Sequence, residues 1–154
     1  AGLLPCTGPF TSTMSAQVDL FNVPNTTNNG AIWVGIGGGN VNSISDPDDF
    51  VGFRVNGFDG SSAKYSFVIR KNGTSTSSSG GAIGTGKRVL KIVWTNSSVS
   101  FYEDDVLLLN QTTMTNSPTG ETGMGMMFKA KSAASATYPI AAVIASAIMK
   151  IDIP

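Results

Sequence analysis

The chain has 154 residues, 41% hydrophobic and only 13% charged, and its ten cationic and ten anionic side chains cancel to a net charge of zero. A domain of about 150 residues buries roughly 70% of its unfolded surface, so a single domain with a full core is expected. The neutral balance excludes the electrostatic footprint that recruits nucleic acid or an anionic membrane, and the lack of any histidine removes the commonest metal ligand and near-neutral general base.

The single cysteine, Cys6, cannot close an internal disulfide, which fits a reducing compartment or a particle assembled inside a cell. Ser, Thr, Asn and Gly carry the polar chemistry, a composition shared with secreted proteins, fibres and virion components. The expected location is therefore an extracellular surface or a virion. The chain starts at Ala1 without a charged-then-apolar leader, so a signal peptide is either absent or already removed. The longest apolar run, Ile140 to Met149, is broken by Ser146 and falls short of the ~20 residues of a membrane-spanning helix, so membrane insertion is not expected.

In chain order, Ala1 to Pro9 holds two prolines, two glycines and Cys6, and reads as an N-terminal arm. Its Leu3-Leu4 pair calls for docking on the body or on a neighbour. Residues 10–154 read as one sandwich domain. Phe10 to Val23 alternates as a strand with Met14, Ala16, Val18 and Leu20 on one face. Pro24 to Gly30 is a turn cluster containing Asn29-Gly30, a hairpin signal, and Ala31 to Ile36 returns with Trp33. Gly37-Gly38-Gly39-Asn40 then opens a loop through Asp46-Pro47-Asp48-Asp49. It lacks the GxxxxGK[ST] arrangement of a phosphate loop, so a bulge or wide turn is expected. In Phe50 to Phe58, alternation places Phe50, Gly52 and Arg54 on one face and Val51, Phe53 and Val55 on the other.

Tyr65 to Arg70 is a further strand, whereas Lys71 to Gly86 (KNGTSTSSSGGAIGTG) has low complexity and reads as a mobile surface loop. Lys87 to Gln111 is the most legible stretch. Val89 to Thr95 and Val99 to Glu103 alternate, Asn96-Ser97-Ser98 and Asp104-Asp105 are turns, and Val106 to Leu109 is a third run of strand formers. A three-stranded antiparallel meander follows, and the four successive apolar residues of its last strand predict cover on both faces. Thr112 to Gly123 is polar loop, Met124 to Ala130 a strand, and Lys131 to Thr137 another loop. The β-branched residues of Ala141 to Ile153, bracketed by Pro139 and Pro154, favour strand over helix. Nine or ten strands without a convincing helix give an all-β antiparallel β-sandwich.

The segment VLKIVWTNSSVSFYEDDVLLLNQT resembles the central hairpins of concanavalin A-like jelly rolls, the group that includes legume lectins, laminin G modules, pentraxins and family 16 glucanases. Their pattern of apolar residue, variable residue and Trp, polar turn, Phe-Tyr, Asp-Gly and apolar strand is met by Ile92, Val93, Trp94, Asn96 to Ser98, Phe101, Tyr102, Asp104-Asp105 and Val106 to Leu109. Asp105 stands where the pattern has glycine. The closing MKIDIP is similar to the last strand of these sandwiches. The resemblance implies a jelly roll and covers Phe50 to the end.

Retaining glucanases of this group place carboxylates at alternate positions of one strand, with nucleophile and acid about 5 Å apart. Here Glu103 and Glu121 are 18 positions apart, Glu103-Asp104-Asp105 sits at a turn, and no Ser-His or Cys-His pair is available. No catalytic residue is assigned and a non-enzymatic domain is expected. Asp46, Asp48 and Asp49 offer hard oxygens of the kind calcium takes from loops. The plainer reading, an Asp-Pro turn with solvated acids, is adopted, so no metal and no cofactor is assigned. Asn25, Asn72, Asn96 and Asn110 begin glycosylation sequons, which a chain so rich in Asn, Ser and Thr also produces by chance. Trp33, Tyr65, Tyr102 and Tyr138 would stack on sugar rings if exposed, and would serve the core otherwise. The leading expectation is a lectin-like domain for adhesion or glycan recognition. The alternative is a structural coat, fibre or capsid-decoration subunit. The expected partners are a glycan, further copies in a homo-oligomer, or other subunits of a particle.

Overall fold

A computed structural model describes residues 9–22, 31–38, 46–56, 63–83, 86–118, 124–131 and 141–152. Ten strands make up the regular structure: β1 (Thr11–Asn22), β2 (Ala31–Gly38), β3 (Asp49–Asn56), β4 (Ala63–Lys71), β5 (Thr74–Ile83), β6 (Gly86–Thr95), β7 (Val99–Glu103), β8 (Val106–Gln111), β9 (Gly125–Lys131) and β10 (Ala141–Asp152). They form two five-stranded antiparallel sheets, ordered β10-β1-β6-β7-β8 and β5-β4-β3-β2-β9. This is the all-β sandwich expected from the alternation. Residues 1–8 of the arm with Cys6, Asn25, the Asn29-Gly30 turn, Glu121 and Tyr138 lie outside the described residues, as does the side chain of Tyr65.

Alternation decides which side chains enter the sandwich. Met14, Ala16 and Val18 of β1, Leu90, Ile92 and Trp94 of β6 and Val99 and Phe101 of β7 line the first sheet's inner face. They meet Ile32, Val34 and Ile36 of β2, Val51, Phe53 and Val55 of β3, and Phe67 and Ile69 of β4. Phe101 links the two layers, with its ring centroid 5.4 Å from Phe53 and 5.1 Å from Phe67. At one end Phe10 meets Trp94 edge-on at 5.1 Å, and the Phe10 amide donates to Asn96 Oδ1 at 2.9 Å, which fixes where β1 begins.

Two expectations are corrected. The low-complexity stretch contains β5, joined to β4 by the two-residue turn Asn72-Gly73, in which both residues have positive φ (47° and 78°). Asn-Gly suits such a turn because amide and glycine tolerate the left-handed region. An edge strand needs ladder hydrogen bonds more than core side chains, so serine and threonine suffice. Asp48 O and Asp49 Oδ1 accept from the amides of Gly73 and Asn72, both at 2.9 Å, which ties the hairpin down. The second correction concerns β8. It is an edge strand, and Val106, Leu107 and Leu108 are 62%, 52% and 39% exposed rather than covered.

Candidate functional site

The outward face of the second sheet carries the most unusual chemistry. Strand register lays its residues out in rows. One row runs Lys129, Trp33, Arg54, Ser66, Ser79 across β9, β2, β3, β4 and β5. The next runs Met127, Gly35, Gly52, Val68, Ser77, and a third runs Gly125, Gly37, Phe50, Arg70, Ser75. A sheet face turned away from the core is ordinarily polar. Here Ala31, Trp33, Phe50, Val68 and Met127 form a second apolar cluster, apart from the sandwich interior.

Glycine makes that cluster possible. A Cβ on Gly35 or Gly52 would lie within 2.8 Å of Phe50 Cζ, and one on Gly37 within 2.8 Å of the Met127 thioether. The Phe50 ring and the Met127 side chain therefore lie down on bare backbone. Trp33 meets Phe50 edge-on at 5.0 Å, and the Arg54 guanidinium stacks on the Trp33 ring at 5.1 Å from its centroid. A stacked cation over indole is attractive and increasingly so when desolvated.

Trp33 is 2% exposed and Phe50 fully buried. Trp33 is thus a floor beneath Arg54, and of its two readings, exposed sugar platform or core, the structure bears out the core. The two stacked residues share another property: Trp33 Nε1 and Arg54 Nε are both buried with no hydrogen-bond acceptor. Buried donors are nearly always satisfied, so two orphans on adjacent side chains single this couple out, although neither atom is open to solvent. The remaining orphans among the described residues, Ser12 Oγ and Trp94 Nε1, belong to cross-strand partners on β1 and β6 and lie within the sandwich. Burial pushes the Arg54 pKa below its ordinary value, opposed by the nearby Asp46 carboxylate and aided by Arg70. Arginine stays charged regardless, so the patch holds a cation and N–H donors.

The acidic candidates are placed elsewhere. Glu103 pairs with Arg88 at 2.8 Å, Asp104 Oδ1 accepts from the Val89 amide at 2.8 Å, and Asp105 pairs with Lys91. Asp49 is taken by the Asn72 amide. Among the described residues no three His, Cys, Asp or Glu side chains gather as a metal group. Of the sequons, Asn96 accepts from Phe10, Asn110 accepts from Ser100 Oγ at 3.3 Å, and Asn72 sits exposed at its turn. Tyr102 is half-buried, with Lys91 Nζ 4.8 Å from its ring centroid. Alternation along β3 correctly put Arg54 beside Phe50 and Gly52. Sequence reasoning missed the register that sets it next to Trp33.

No protein family matches the sequence, and none of the curated proteins matches it. Among solved structures, a marine PL7 alginate lyase from Zobellia galactanivorans is similar over 99% of this chain and 65% of its own, with a TM-score of 0.52 and 18% identity. An alginate lyase in complex with dimannuronate is similar over 92% of this chain and 64% of its own, with a TM-score of 0.55 and 12% identity. The carbohydrate-binding module CBM66 from Bacillus subtilis is similar over 94% and 78%, with a TM-score of 0.55 and 13% identity. The chain spans just under two thirds of the length of these lyases. The fold is that of the concanavalin A-like jelly rolls, as the central meander implied. The expectation of a non-enzymatic domain is corrected: alginate lyases and a beta-1,3-glucanase share this sandwich.

Proposed function

We propose that the chain recognises an acidic polysaccharide at the outward face of its second sheet, around Arg54 and Trp33, on an extracellular or virion surface. The observation that carries this reading is a half-buried arginine stacked on an indole, an oriented cation on an otherwise apolar cluster. A carboxylate suits a guanidinium, whose terminal nitrogens donate to it as a fork. The likeness to a lyase holding dimannuronate, a disaccharide of acidic sugars, and to a carbohydrate-binding module supports the same class of ligand.

The test is retention on polymannuronate compared with a neutral glucan, together with an assay for the unsaturated sugar that lyase cleavage would release. Hydrogen bonds to a charged group contribute about 1.5–3 kcal/mol. Arg54→Ala should therefore weaken polymannuronate binding roughly 10- to 100-fold, with Arg54→Lys in between. Trp33→Phe should leave the fold intact and weaken binding by a smaller factor. Equal retention on the neutral polymer, or unchanged affinity in Arg54→Ala, refutes the assignment.

A further inference from the structure

The four sheet edges are defended unequally. Edge strands ordinarily carry lysine, proline, glycine or bulges that discourage pairing with another chain. Strand β9 carries Lys129 and Lys131, β10 carries Lys150 and two register shifts against β1, and β5 is serine, threonine and glycine for most of its length. Strand β8, VLLLNQ, has no charge, no proline and no glycine, and its only irregularity is a register shift against β7. Among the described residues it is also the edge with three consecutive exposed apolar side chains. Val106 lies opposite Glu103 and Leu107 opposite Tyr102, so the apolar side chains project on both faces of the sheet. That is the pattern of a strand with neighbours on both sides.

We infer that β8 pairs antiparallel with β8 of a second copy of this chain, joining the two first sheets into one ten-stranded sheet. The charge layout selects this occupant. Acidic Asp104-Asp105 precedes the strand, and the amides Asn110 and Gln111 close it. A two-fold axis sets each acidic end beside the partner's uncharged amide end, whereas parallel pairing would set acid against acid. The uncharged centre has nothing to offer a charged partner strand. A cleft of about 290 Å³ adjoins this edge, lined by Phe67, Gly80, Gly81, Glu103, Leu108 and Leu109. Glu103 is neutralised there by Arg88. An added strand would turn its inward side chains, the partner's Val106 and Leu108, over the mouth of that cleft. This inference does not depend on the carbohydrate reading.

Sedimentation equilibrium over a concentration series tests it. The wild-type chain should pass from 15.9 kDa to twice that mass as concentration rises. Leu107→Lys should remain a monomer and melt as the wild type does at concentrations where it is monomeric, since that side chain is half exposed. Ile148→Lys, on β10 and 70% exposed, should dimerise like wild type. In the wild type, amide hydrogen exchange at residues 106–111 should slow with concentration, a readout that needs no variant. A wild-type monomer throughout, a dimer that survives Leu107→Lys, or one abolished by Ile148→Lys overturns the inference. A monomer that captures an unrelated peptide at β8 would likewise assign the edge to another partner.

Discussion

Gly52→Ala isolates the contact on which the outward apolar layer rests. Its new Cβ would lie 2.5 Å from Val34 O, 2.7 Å from Gly35 Cα and 2.6 Å from Phe50 Cζ. Carbon atoms pack at about 3.5–4.0 Å, so each contact is short by roughly an ångström. Two of the three obstacles are backbone of β2, directly across the ladder, and cannot swing aside. The strands must part locally, which adds about 0.5–1.5 kcal/mol of lost hydrogen bonding to about 1–3 kcal/mol of overpacking. A loss near 3 kcal/mol is expected, equivalent to a drop of about 6–12 °C in Tm for a chain of this size. Urea titration gives the number as a shift in midpoint at constant slope. Gly125→Ala, whose Cβ meets nothing within 4 Å, is the matched control and should stay within about 0.5 kcal/mol of wild type. Phe50→Ala alone should cost about 3–5 kcal/mol for a fully buried ring. The double variant decides the cause. If the ring were the main obstacle, Phe50→Ala would absorb the Gly52→Ala penalty; with the backbone as the obstacle, the two losses largely add. A Gly52→Ala variant as stable as wild type refutes the close packing, and one fully rescued by Phe50→Ala refutes the backbone as its main obstacle.

The meander offers two further tests of stability. Asp104 and Asp105 occupy the hairpin turn with φ of 48° and 64°. Asp105→Gly relieves left-handed strain and loses only a pair with Lys91 at an 84% exposed carboxylate, so a gain of about 0.5 kcal/mol is expected. Asp104→Gly also loses the bond from the Val89 amide and should be neutral to about 1 kcal/mol worse; chemical denaturation showing the same sign for both would contradict this division of roles. Glu103→Ala leaves Arg88, whose side chain is 10% exposed, without its 2.8 Å partner. A loss of about 1–3 kcal/mol is expected in thermal or urea melts, and Glu103→Gln, which still accepts a hydrogen bond, should recover part of it.

Alternation made the sandwich legible wherever one face of a strand is buried and the other wet. In β1 it placed Met14, Ala16 and Val18 together, and in β3 it separated Val51, Phe53 and Val55 from Phe50, Gly52 and Arg54, as the structure has them. It failed at β5 because an edge strand of serine and threonine owes its existence to ladder hydrogen bonds and to the Asn72-Gly73 turn, and neither depends on apolar periodicity. The turn itself was visible as an Asn-Gly pair. The surrounding low complexity concealed it, since composition describes what cannot form a core and is silent on what can complete a sheet.

The site was less legible because it depends on register between strands distant in sequence. Lys129, Trp33, Arg54 and Ser66 share a row only once β9, β2, β3 and β4 are aligned, and no short-range spacing encodes that. Strands β2 and β8 make the limit plain. Both are apolar at successive positions, AIWVGIGG and VLLLNQ, and for the second that run predicts cover on both faces. In β2 all eight positions are buried, because β3 and β9 flank it and the Trp33–Phe50 cluster lies on its outward face. In β8 the same signature meets water along one edge, because the sheet ends there. Position in the sheet separates the two cases, and pairing across a two-fold axis would remove the difference by supplying β8 with the neighbour its side chains already fit.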